Sequence, residues 1–313
     1  SMNKPSFVVK VKPILVRKKQ QPQSNVNIVI KPATKQTVNL KDLNKATPPA
    51  KQVQIPIRQN SAVSNKTVRT NRPIKVERKP VVKYVTRDID QGSLAKIKQI
   101  RGAGKGKILI IVGNGPSINE VELQRLKNNN LIDTMSINRP DPRVWPTTYW
   151  TFFDISQLRR NEDLWNGYNG VIFNSTSIKK QKLSSLQIKN LGGQGFSKDL
   201  TKGIHIGRSS VYAAMQLGLW MEYDKVFIFG CDMNPDGIDG KLHFYGVNPD
   251  VDPNKRRERF KNEAEFYEYA ANVLSEADKA KFIFCSSVNN WPFISKFMRL
   301  RHEIAVQHIL DLL

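Results

Sequence analysis

In the stretch ILIIVGNGPSINEVELQRL, residues 108–126, an apolar run meets a two-glycine turn and then a polar–apolar pattern. Ile108 to Val112 is apolar at every position, which is the signature of a strand buried on both faces of a parallel sheet and not of a half-solvated one. Gly113 and Gly115 break the run. Ser117 then reads as an N-cap, with Glu120 three residues later completing a capping box, so a helix is expected over 118–127. Strand, glycine turn and helix together open a ligand-binding α/β unit. The glycines let the backbone approach a ligand, and the first helical amides favour an anion. Two stricter templates fail: GxGxxG lacks its third glycine and meets Pro116, and the GK[ST] ending of a P-loop is absent.

The alternation continues downstream. LIDTMSIN (131–138), TTYWTFFD (147–154), GVIFNST (170–176), DKVFIFGCDM (224–233) and KFIFCSS (281–287) read as strands. VYAAMQLGLWME (211–222), RRERFKNEAEFYEYAANVL (256–274) and FISKFMRLRHEIAVQHILDLL (293–313) read as helices, the first capped by Ser209 or Ser210. The expected fold class is α/β: a Rossmann-like, mostly parallel sheet with helices on both faces, one domain over 105–313.

Residues 1–104 are of another kind. Of a net charge of +23, the first 107 residues hold 25 Lys+Arg against four acidic residues, so the rest of the chain is nearly neutral. Prolines recur, and Phe7 and Tyr84 are the only aromatic residues before residue 105. Such a segment cannot offset its ordering entropy with a core, so a long, extended basic N-terminal tail is expected, disordered or docked on a partner. A polycation without stacking platforms suits the phosphate backbone of nucleic acid; an acidic protein or an anionic membrane surface are the alternatives. No run approaches the roughly 18 apolar residues of a membrane span, and no apolar secretory segment is evident. Cys231 and Cys285 lie in apolar runs without CxxC spacing, as buried thiols in a reducing compartment do, so a cytoplasmic protein is expected.

In open α/β sheets ligands bind beyond the carboxyl ends of the strands. That places the candidate nucleotide site at Gly113, Asn114, Gly115, Pro116 and Ser117, with Asn138, Asp154 and Asn174 at later strand ends, Arg208, Ser209 and Ser210 at a helix mouth, and Asp232 after a central strand. GNGPS, SIN (Asn138 at its end), SSVYAAMQLGLWMEYDKVFIFGCDM and HFYG, in that order, resemble a bacterial sialyltransferase family of nucleotide-sugar glycosyltransferases and the related 6-hydroxymethylpterin diphosphokinase-like domains, a group common in bacteriophages. The likeness covers roughly residues 107–297. It implies that Asn114, Gly115 and Ser117 line the nucleotide, that Asn138 contacts the donor, that Ser209 and Ser210 hold the nucleotide or its phosphate, and that His243 is the general base, a role an imidazole near its ordinary pKa fills well.

One departure from the family concerns the leaving group. The segment NPDGIDGKL before His243 carries no tyrosine to steady a departing phosphate, which leaves Tyr245 or Arg208 for that task. The expected activity is therefore glycosyl transfer from a nucleotide-sugar, with no cofactor required and with a nucleic acid, such as phage DNA, as acceptor; sialyl transfer itself is not expected. Two alternatives stand. Asp232 with Asp154, Asp236 or Asp239 suits Mg²⁺ on a triphosphate, hence a diphosphokinase or nucleotidyl enzyme; or the fold binds without catalysing.

Overall fold

The computed structural model describes residues 89–176, 185–246 and 252–313. Of the expected tail over 1–104, residues 1–88 lie outside the described residues, and with them its docking on nucleic acid or an acidic partner. In chain order the elements are α1 (Gln91–Gln99), β1 (Ile108–Val112), β2 (Ile132–Ile137), β3 (Tyr149–Thr151), α2 (Ile155–Arg160), α3 (Glu162–Trp165), β4 (Val171–Ser175), β5 (Leu186–Ile188), α4 (Ser210–Trp220), β6 (Lys225–Phe229), α5 (Pro253–Val273), α6 (Glu276–Lys279), β7 (Phe282–Cys285), β8 (Met298–Arg299) and α7 (His302–Asp311). The strands make one sheet in the order β5-β4-β3-β2-β1-β6-β7-β8, with every neighbouring pair parallel.

The uniform apolar run of β1 follows from its place. Ile108 is in register with Ile132 of β2 on one side and Lys225 of β6 on the other, so neither edge meets water. Successive side chains then serve two layers. Leu109 and Ile111 pack with Ile97 of α1, with α4, and with Tyr267 and Ala270 of α5. Ile108, Ile110 and Val112 pack with Ala305, Val306 and Ile309 of α7 and with Ile118, Val121 and Leu123. Each such buried aliphatic side chain contributes about 1.5–3 kcal/mol. From β1 the chain winds outward through β2 to β5, returns to β1's other edge as β6, and winds outward again. The strand order reverses between β1 and β6, which is where open α/β sheets hold ligands.

Several local expectations need correction. The helix expected over 118–127 is two 3-10 turns, Pro116–Glu120 and Leu123–Leu126, with Val121 extended between them. Ser117 caps neither turn. Its hydroxyl and amide go to Asp232, and Glu120 meets Nε2 of His302 at 2.9 Å, so no capping box forms. The closing helix is α7 alone; Pro292–Lys296 is a 3-10 turn and β8 pairs beside β7, so KFIFCSS is not the last strand. The two edge strands, β5 and β8, are only three and two residues long, too short to carry a period.

The packed body also starts before residue 105. Asp90 caps α1 by accepting from the Ser93 amide, Ile97 is fully buried, and the Trp220 indole donates to the Ile97 carbonyl at 2.8 Å. Both cysteines are free and buried, as expected. Among the described residues no helix is long and apolar enough to cross a membrane.

Candidate functional site

At the strand-order reversal the loops after β1 and β6 lie against each other. Gly113 N–H donates to the Phe229 carbonyl and Gly115 N–H to the Gly230 carbonyl, both at 2.8 Å. The glycines are needed for this approach and not for a left-handed turn, since neither has positive φ. A Cβ on Gly113 would stand 2.6 Å from the Gly230 oxygen, and one on Gly115 would stand 2.4 Å from Oδ2 of Asp232. Asp232, 3% exposed, accepts from the Ser117 amide at 2.9 Å, from the Ser117 hydroxyl at 2.5 Å and from the Ser286 hydroxyl at 2.7 Å. One carboxylate thus ties together the segments leaving β1, β6 and β7.

The GNGPS turn therefore grips the protein's own Asp232. Its Gly115 and Ser117 amides are spent inside the fold, which corrects the expectation that they cup a phosphate. Gly115→Ala is expected to cost about 1–3 kcal/mol, because the methyl group must displace either the carboxylate or the Gly230 backbone. Urea titration of the variant measures it, and an unchanged midpoint would refute the packing argument.

Beside this brace lies a cavity of about 490 Å³. Asn114, Gly115, Pro116, Asn138, Asp154, Arg208, Ser209, Ser210, Asp232, His243 and Tyr245 line it. Gly113 and Ser117 sit behind the wall. Asn174 is not brought there: it is buried at the end of β4, with Oδ1 accepting from the Ser185 hydroxyl at 3.3 Å. Asp154 caps α2 through the Ser156 amide. Asp236 pairs with Arg257 at 2.8 Å, and Asp239 occupies a left-handed turn. Among the described residues no group of three His, Cys, Asp or Glu side chains is placed to hold a metal ion.

The positive potential of the cavity comes from elsewhere. Arg160 at the end of α2, Arg208 before α4 and Arg259 on α5 all line it, and among the described residues no ion pair occupies any of the three. The N-terminus of α4 opens into the same space through Ser209, Ser210 and Val211. Its first-turn amides have no intrahelical acceptors and sit at the positive end of an eleven-residue helix. Ser209 does not cap them, since its hydroxyl is 3.0 Å from that of Tyr267; Ser210 donates to Oδ1 of Asn138 at 3.2 Å.

Asn138, Arg208 and Met233 of this wall hold φ values of 53°, 60° and 46°. Left-handed backbone in residues other than glycine costs of order 1–3 kcal/mol and concentrates at functional sites.

His243 stacks on Tyr245, ring centroids 5.0 Å apart and planes 15° from parallel. Burial holds its imidazole below the ordinary histidine pKa, the charges of Arg259, Arg160 and Arg256 push the same way, and the Asn114 backbone opposes them. The ring is thus neutral at neutral pH. The Arg139 guanidinium lies 5.5 Å from the centre of the Tyr245 ring, and burial raises the pKa of that phenol. The Cys231 thiol, also in the wall, is pushed up by burial and stays protonated, so it is not a ready nucleophile.

Sequence reading missed Arg160, Arg259 and Glu263. The last was legible on a helical wheel: it shares the buried stripe of α5 with Ala264, Tyr267, Ala270 and Ala271, an unusual place for a carboxyl group. A scan against protein-family models and searches of curated proteins and solved structures give no match to this chain.

Proposed function

We propose that the protein is a glycosyltransferase that binds a nucleotide-sugar in the cavity between the β1 and β6 loops and uses His243 as general base. The observation that carries this reading is a neutral imidazole in the same cavity wall as an open helix N-terminus and three guanidiniums that have no ion-pair partner among the described residues. Guanidiniums and helix amides suit the donor's phosphates. The acceptor hydroxyl gives its proton to His243 as its oxygen bonds to the anomeric carbon. The bond from that carbon to the phosphate oxygen breaks, and the nucleotide leaves with the electron pair. Arg208 and Tyr245 are the groups of this chain available to the departing phosphate. A nucleic acid is the proposed acceptor, in keeping with the charge of residues 1–107.

Magnesium-dependent diphosphokinase chemistry is less well supported. It asks for carboxylates free to bind a cation, whereas Asp232 already accepts three hydrogen bonds from Ser117 and Ser286 and Asp236 is paired with Arg257. A thermal-shift panel of nucleotides and nucleotide-sugars tests the proposal. A donor at 100 times its dissociation constant is expected to add about 2.7 kcal/mol of stability, and its hydrolysis or transfer should survive EDTA. A flat panel, or turnover that EDTA abolishes while His243→Ala preserves it, would overturn the reading.

A further inference from the structure

Besides Asp154, which caps α2, and the bracing Asp232, the cavity wall holds a third acidic group that this reaction does not use. Glu263 of α5 is 8% exposed and lines the same cavity as His243. Burying a carboxyl group is costly unless a cation or a full set of donors meets it, and an apolar side chain of similar size would serve packing better. The groups around it are Arg259 and Tyr267, one turn to either side on α5, Ser209 at the start of α4, and Cys231 after β6. Ser209 and, through space, Arg259 favour its ionised form against the effect of burial. Among the described residues no ion pair holds it. The neighbouring hydroxyls are already linked: Ser209 to Tyr267 at 3.0 Å, and Tyr267 to the Cys231 sulfur at 3.6 Å. A costly polar group facing a cavity, with no ion pair among the described residues to account for it, marks a ligand contact.

We propose that Glu263 is a ligand-binding residue of this cavity: its carboxyl group hydrogen-bonds a hydroxyl or carbonyl oxygen of the donor while Arg259, one turn away, takes the donor's phosphate. The inference rests on reading the cavity as a donor site. Burial pushes the Glu263 carboxyl up to about 7, so below neutrality it keeps its proton and can donate. Ionised, it would set a negative charge beside Arg259 and draw that guanidinium away from the phosphate.

The test titrates wild type, Glu263→Gln and Glu263→Leu with UDP-glucose, GDP-mannose and CMP-sialic acid, which do not themselves ionise between pH 6 and pH 8. Calorimetry at both pH values reads the affinity, and far-UV circular dichroism confirms that each variant is folded. Wild type is expected to bind its donor about tenfold more weakly at pH 8 than at pH 6. Glu263→Gln should bind equally at both, and Glu263→Leu should lose about tenfold at pH 6. Full affinity in a folded Leu variant, or a pH dependence that persists in Gln, overturns the inference alone. No binding of any donor to wild type overturns the functional reading and this inference with it.

Discussion

Replacing His243 by Ala is expected to lower donor turnover by roughly 10²- to 10⁴-fold, the usual contribution of a positioned general base, if the proposed reaction holds, with little change in donor affinity. The split follows from geometry. The groups suited to the phosphates are Arg160, Arg208 and Arg259 and the α4 amides, none of which depends on the imidazole, so kcat carries the loss and KM does not. The wild-type kcat should rise with pH on a limb whose midpoint lies below the ordinary histidine value of about 6.5, because burial and the charges of Arg259, Arg160 and Arg256 favour the neutral ring, and should be flat near neutrality. Steady-state kinetics of both proteins between pH 5 and pH 8 decide the matter. A variant that keeps most of its turnover, or a limb displaced above 6.5, removes His243 from the reaction.

Asp232→Ala acts on the fold. It leaves the Ser117 amide and hydroxyl and the Ser286 hydroxyl without their common acceptor, at a site 3% exposed. Breaking a buried, charged hydrogen-bond set by removing one partner costs about 3–5 kcal/mol. At 2–4 °C per kcal/mol for a body of this size, that lowers Tm by roughly 10 °C. Denaturant titration gives the free energy directly. A variant as stable as wild type would mean that the three donors find other acceptors and that Asp232 is no brace.

The sheet was legible because its central strands obey a simple rule. A strand covered on both faces has few polar positions, and β1 and β6 announce themselves as apolar runs, unbroken or nearly so. The edges were not legible: β5 and β8 exist only because a neighbour offers a ladder, which is a tertiary cause. The false helix after Gly115 had the same origin. Ser117 and Glu120 satisfy the local capping pattern, but Asp232, 115 residues downstream of Ser117, and His302 claim those side chains first. The candidate site divided along this line. Residues at strand ends or the α4 mouth, such as Asn114, Asn138, Arg208, Ser209 and Ser210, reach one cavity because topology puts them there. Asn174 follows the same rule on β4, yet it is three strands from the reversal and stays in the packing.

The long return from β5 to the far edge of β1 has a consequence for synthesis. Val112 of β1 pairs with Phe229, 117 residues later. At a translation rate of about 5–20 residues per second, one edge of ILIIV waits roughly 6–25 s on the ribosome before its partner is made. During that interval the nascent chain presents an open, wholly aliphatic ladder, the kind of template that recruits other strands. Chaperone capture of this protein should accordingly concentrate on chains stalled between β5 and β6.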